Sequence, residues 1–163
     1  GDTKLLAGPV SELVEEHGLT FPLECWQREG SLLAGPFWKD VNLLDLPKDL
    51  RRGTMVADFD ATTSDYFVRY WGEDLVLAFG IELSQQWLST ADHNGVMDSF
   101  ISSAHQVIER AEPLFLVHEI TSPSGLRRRF PVLRLPLFNE AGEADKIMTV
   151  ENIQLCISQL DAR

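Results

Sequence analysis

The spacing of apolar positions changes character near residue 54. Before it, short apolar-periodic pieces are broken by Gly8-Pro9, Gly18, Pro22, Gly30, Gly35-Pro36 and Pro47, a pattern that predicts short helices joined by turns. Ser11 followed by Glu15 and Glu16 ahead of His17-Gly18 marks one small helix with Gly18 as its C-cap; Cys25, Trp26 and the Leu32-Leu33 pair mark a second. This stretch has too little periodic apolar surface to fold alone, so it is expected to lie over a core built by the remainder.

Beyond residue 54 the period shortens to two. Thr54–Asp60 (TMVADFD) and Asp65–Trp71 (DYFVRYW) are β-type runs separated by the turn-forming Ala61-Thr62-Thr63-Ser64, hence an antiparallel hairpin. Glu73–Phe79 predicts a short helix ending at Gly80, and 81–90 another short segment holding Trp87. The most regular helical pattern spans about Ala91–Ala111. Val96, Met97, Phe100, Ile101, Ala104, Val107, Ile108 and Ala111 share one arc, Asp98, Ser102 and Glu109 lie opposite, and Pro113 stops the helix. Three strands follow: Leu114–Thr121, Leu126–Phe138 after the turn sequence Ser122-Pro123-Ser124-Gly125, and Lys146–Ile157 after the polar Asn139–Asp145. The expected class is α+β: a five-stranded antiparallel sheet with helices on one face, preceded by an N-terminal helical extension. The expected division is 1–50 for the extension and 51–160 for the domain.

Composition narrows the function classes. The net charge is −11, which repels phosphate backbones and anionic headgroups, so neither nucleic acid nor a membrane surface is expected as partner. The longest apolar runs, such as Leu114–Val117, fall far short of the roughly 20 residues that span a bilayer. No basic segment followed by an apolar stretch opens the chain, Gly1 in place of Met suggests a trimmed terminus, and the cytoplasm is the expected compartment. Cys25 and Cys156 alone make neither a disulfide framework nor a four-ligand zinc site. No glycine elbow flanks Ser11, Ser84, Ser99 or Ser124, and no glycine-rich phosphate loop is present. No catalytic residue and no metal ligand is therefore assigned.

The order strand-strand-short helices-long helix-three strands resembles the PAS sensory domain over roughly residues 36–155. Three stretches carry the likeness. DYFVRYWGEDLVLAFGIELSQQWL (Asp65–Leu88) resembles the second strand and following helix of a PAS-like group found in many alphaproteobacteria. FWKDVNLLDLPKDLRRGTMVADFD (Phe37–Asp60) resembles that group's lead-in to the first strand. LPLFNEAGEADKIM (Leu135–Met148) resembles the strand end, polar turn and final strand of PAS domains. The resemblance implies a domain that senses a small molecule or mediates protein association, with the ligand between sheet and helices. It implies no reaction, and it leaves the cofactor unknown, since PAS domains bind haem, flavin, organic acids, aromatics or nothing.

Pocket candidates follow from the pattern and the resemblance together. Trp71, Phe79, Trp87 and Phe100 belong to an aromatic set expected around the pocket, most of which core packing also explains. Tyr70 adjoins Trp71, so only one of the two faces inward. His93 falls within the apolar arc of the long helix, whereas His105 lies about 110° off it and is expected at the surface. Haem-binding PAS domains use a histidine on that helix, which makes His93 the candidate there. His118 alternates with Leu114, Leu116 and Ile120 on one strand face and is expected in the pocket wall or hydrogen-bonded in the core. The LOV subgroup places its reactive cysteine after the second strand; Glu73–Trp87 holds none. Asp58 and Asp60 are expected to be solvated beside a turn, and Arg127-Arg128-Arg129 a solvated strand edge.

The expected function is a non-enzymatic sensory, ligand-binding or protein-interaction module of bacterial signal transduction. Its expected partners are a small-molecule ligand, a signalling protein and a second copy joined through Leu5–Leu33. Two alternatives stand beside it. One is an acid–base enzyme on a cone-shaped pocket fold, using His93 or His118 with an Asp. The other is a purely structural dimerisation domain with a filled core.

Overall fold

A computed structural model describes residues 2–4, 8–29, 35–91, 96–121, 125 and 127–155. Their elements run β1 (Asp2–Lys4), α1 (Val10–Glu16), α2 (Thr20–Glu29), two single-turn helices at Trp38–Asp40 and Leu43–Asp45, and α3 (Lys48–Arg52). Then come the hairpin β2 (Thr54–Asp60) and β3 (Asp65–Trp71), the helices α4 (Glu73–Phe79), α5 (Leu88–Ala91) and α6 (Val96–Arg110), and the strands β4 (Leu114–Thr121), β5 (Arg127–Phe138) and β6 (Ala144–Glu151). The five strands pair antiparallel as expected, and β1 adds a sixth beside β4, giving the order β1-β4-β5-β6-β2-β3.

Alternation along each strand divides the core in two. Val56, Phe115, Val117, Leu133, Leu135, Leu137, Met148 and Val150 point to one face, where they meet Leu13, Val14, Leu19, Leu23 and Trp26 of the N-terminal helices. Met55, Ala57, Tyr66, Val68, Trp71 and Ile147 point to the other, where they meet Phe100, Ala104 and Val107 of α6 together with Leu75, Leu83 and Leu88. Helices that follow the β2–β3 hairpin thus lie on one face, and the extension covers the opposite one. The extension is fastened by two polar contacts as well. The Trp26 indole Nε1 donates to the Pro136 carbonyl at 2.7 Å, and Asn152 Nδ2 donates to the His17 carbonyl at 3.1 Å. Leu13, Val14, Leu19, Leu23 and Trp26 are therefore committed within the chain, while Phe21 stays 42% exposed; Leu5 and Leu6, where the expected contact with a second copy begins, lie outside the described residues.

Two boundaries differ from the sequence pattern. The long helix begins at Val96 rather than Ala91, because Leu88–Ala91 forms the separate α5. The last strand stops at Glu151 rather than Ile157: Asn152 turns the chain, its amide donating to Pro131 O and its carbonyl accepting from Leu155 N. Arg127–Arg129 pairs with β4 alone among the described strands, because the ladder to β6 ends at Val132–Glu151, and Arg127 and Arg128 are exposed as expected of a solvated edge. There Arg127 pairs with Glu119 on the neighbouring strand β4 at 2.9 Å. Leu32, Leu33 and Cys156 lie outside the described residues.

Candidate functional site

Strand alternation and one helical stripe converge beneath α6. On β4 the period of two turns His118 away from the face that holds Phe115 and Val117. On β5 the same rule sends Leu133, Leu135 and Leu137 to the extension side and Arg134 to the α6 side. Thr149 and Glu151 alternate with Met148 and Val150 on β6. From the helix, Phe100, Ser103, Ala104 and Val107 repeat at intervals of three and four and face the sheet.

The result is an enclosed cavity whose apolar walls include Trp71, Phe79, Leu88 and Phe100, with His118, Arg134 and Glu151 as its polar groups. Its open volume is about 20 Å³, room for one water-sized guest and none for an isoalloxazine or porphyrin ring.

Arg134 is 2% exposed. Its Nε donates to Ser103 Oγ at 2.8 Å and a terminal nitrogen, Nη1, donates to Thr149 Oγ1 at 3.0 Å. Ser103 in turn donates its hydroxyl proton to Phe100 O at 3.0 Å, which leaves its lone pair aimed at the guanidinium. The Phe100 ring lies 4.3 Å from the guanidinium carbon, so a quadrupole supports the cation from one side. No carboxylate comes within ion-pair distance of Arg134 among the described residues. Glu151, the acid nearest in register, is also buried, and its own amide is held by Gly53 O at 2.8 Å. Burial pushes its carboxyl up to about 7 despite the opposing pull of Arg134. The His118 ring meets Phe79 edge-on at 5.3 Å, and its buried Nε2 has no hydrogen-bond partner. Burial, with Arg134 adding to it, pushes this imidazole down to about 3, so the ring is neutral at physiological pH.

These shifts give opposite stability profiles. Glu151 holds its proton more tightly folded than unfolded, so its contribution is complete below about pH 4.5 and is lost as pH rises through 7. His118 is held neutral, so its contribution is complete above about pH 6.5 and is lost as pH falls towards 3. Each is worth on the order of 3–5 kcal/mol at 1.36 kcal/mol per unit. Glu151→Gln is therefore expected to gain stability relative to wild type as pH rises from 4.5 to 7, and His118→Phe as pH falls below 6.5. Urea midpoints measured across that range check both; parallel profiles for wild type and variants would sink the assignment.

Of the six residues singled out from the sequence, Trp71, Phe79, Phe100 and His118 meet at this cavity. Trp71 is the inward member of its pair, its indole donating to Ile81 O at 2.9 Å, while Tyr70 faces the extension side. Trp87 sits elsewhere. It is 38% exposed and packs edge-on against Phe67 at 5.2 Å, lining an open groove with Asp65 and Ser89. The cause is a backbone bridge between Trp87 and Phe67 outside β3, which leaves Leu88 to enter the core. His93 lies outside the described residues. His105 is not a surface residue: it is half-buried, 2.8 Å from the Tyr66 hydroxyl and edge-on to Phe59, because the β2–β3 hairpin wraps that flank of α6. Asp58, expected to be solvated, is partly buried and pairs with Arg69 and Lys146. Arg134, Glu151 and Ser103 were not anticipated. Among the described residues there is no cluster of three His, Cys, Asp or Glu suited to a metal ion, and no helix long and apolar enough to cross a membrane.

No protein-family model matches the sequence, and no curated protein matches it. Solved structures do match. The dark-state LOV domain of the blue-light photoreceptor Aureochrome1 aligns over 75% of this chain and 87% of its own, at 11% identity and a TM-score of 0.50. The PAS domain of the histidine kinase ThkA aligns over 60% and 96%, at 17% identity and a TM-score of 0.44. A sensory box histidine kinase/response regulator from Burkholderia thailandensis aligns over 68% and 82%, at 13% identity and a TM-score of 0.40. At such identities the likeness speaks to architecture, and the strand order, the helices on the cavity face and this alignment agree: the chain has the PAS/LOV fold.

Proposed function

We propose that this chain is a sensory module of cytoplasmic bacterial signal transduction, acting through ligand binding and protein association and not through catalysis. The observation that carries this reading is the enclosed cavity, in which Phe79 of α4, Leu88 of α5 and Phe100 of α6 meet polar groups from three strands. A guest in that space touches all three helices at once. Its binding energy can bias their packing against the sheet only to the extent that it differs between two arrangements of those helices. A signalling protein or a second copy would read that difference from outside. Bond-making chemistry has little support: the cavity is narrow, it holds one water-sized guest, and His118 is kept neutral well below the range useful to a general base near pH 7.

The smallness of the cavity also favours a second reading, an interaction module whose core is simply filled. Native mass spectrometry and an absorption spectrum of freshly purified protein address the first reading. The expected result is a colourless protein carrying no adduct of flavin or haem mass. A visible band, or turnover of any substrate that depends on His118, would overturn it. Amide exchange separates the two readings, since only a sensor slows exchange in α4–α6 when its cavity is occupied.

A further inference from the structure

We propose that the cavity between His118, Arg134 and Glu151 binds a small monoanion, of chloride to formate size, held by the Arg134 guanidinium and taken up together with a proton on Glu151. This rests on the sensory reading above and names the ligand class for it.

Charge bookkeeping inside the cavity leads there. A guanidinium as buried as Arg134 needs a counter-charge, because isolated buried ions are costly. Its two side-chain partners, Ser103 and Thr149, are neutral, and Nη2 has no hydrogen-bond partner among the described residues. The titratable groups around it are Glu151 on β6, His118 on β4 and Tyr66 on β3, while α4, α5 and α6 contribute none to the cavity lining. Tyr66 is pushed up by burial and is neutral, and so is His118. Among the described residues Glu151 is the one candidate counter-ion, yet it makes no ion pair with Arg134 and its burial favours the protonated form. The buried, unpartnered Nε2 of His118 lines the same space, and in its N–H tautomer it donates to an anion there. About 20 Å³ is the room of one water or one chloride; formate, with three heavy atoms, is the upper limit and enters only as the surrounding helices yield. An overall charge of −11 gives no general attraction for anions, so retention would be local to Arg134.

An anion seated beside Arg134 competes with ionised Glu151 for the same charge. Binding is then linked to protonation of Glu151, and with that carboxyl at about 7 the affinity should fall about tenfold between pH 6 and pH 8.

The test is thermal unfolding of the full chain titrated with sodium formate or sodium chloride against sodium gluconate at equal ionic strength, at both pH values, with formamide as the neutral isostere of formate. The expected result is a saturable rise in Tm with formate or chloride, absent with gluconate and formamide, and about tenfold tighter at the lower pH. Glu151→Gln should keep the tight affinity at both pH values, and Arg134→Gln should abolish saturation. Should Arg134→Gln fail to fold, the Glu151→Gln comparison still decides, because a pH dependence that survives in it overturns the linkage. Formamide acting as strongly as formate overturns the anion assignment and leaves the sensory reading standing. No saturable response to either, with amide exchange in α4–α6 unmoved, overturns both.

Discussion

Gly53→Ala is expected to destabilise the protein by about 3 kcal/mol or more, because the added methyl has nowhere to go. A Cβ at this position would lie 2.1 Å from the backbone oxygen of Glu151, and backbone cannot rotate out of the way as a flexible side chain can. Gly53 joins α3 to β2, and its carbonyl accepts the Glu151 amide at 2.8 Å, so displacing it moves β6 at the residue that walls the cavity. Gly142 is the useful contrast. Its φ of +81° makes alanine strained there, but nothing stands within 4 Å of an added Cβ. Gly142→Ala should cost only the left-handed penalty, about 1–2 kcal/mol. Urea unfolding of the two variants checks the ordering, and a loss under 1 kcal/mol for Gly53→Ala would show that the junction is looser than described.

Trp26→Ala is expected to cost about 3–5 kcal/mol, the usual range for emptying a large aromatic site in a core. The indole is 8% exposed and belongs to the cluster joining the N-terminal helices to the sheet. Truncation would also leave the Pro136 carbonyl without its 2.7 Å donor. Trp26→Phe keeps most of the apolar bulk and should lose only about 1–2 kcal/mol, the share of the hydrogen bond. Because α1 and α2 dock through this residue, Trp26→Ala should also speed proteolytic cleavage within 10–29 more than cleavage within the strands. Equal protection of both regions, or a loss under 1 kcal/mol, would mean that the extension holds on by other contacts.

The period-two and period-3.6 patterns were strong enough to place the five strands, the long helix and four of the cavity residues. His118 was legible because alternation on a strand assigns a face by parity; Trp71 shares the face of Tyr66 and Val68 despite its opposite parity, because the β2–β3 register shifts between Val56 and Ala57. Arg134 was not, although its signal was present: in VLRLPLF a charge interrupts an apolar run at a parity opposite to Leu133, Leu135 and Leu137. A lone arginine inside such a run is costly to bury and so marks a site. Glu151 was hidden because the apolar pattern continues past it towards Ile157, and only the turn at Asn152 places it at a strand end. Trp87 and His105 went astray for a shared reason. Each is governed by a tertiary contact with the β2–β3 hairpin, a backbone bridge in one case and the Tyr66 hydroxyl in the other, and neither contact has a local periodicity.

The covering of both sheet faces restricts how anything outside can sense the interior. At the flanks β1 covers β4 and itself forms the edge, and along β3 the Val68 amide donates to Gln86 while its carbonyl accepts from Gln85. Docking onto a bare sheet face is thus blocked, and strand addition is left with the three-residue β1 and part of β3 as edges. What is otherwise left for a listener is the outward side of the helical shell, where α4 carries Leu77 at 77% exposure two residues before Phe79 enters the cavity. On the proposed sensory reading, one short helix would serve as both the antenna and the loudspeaker of this domain.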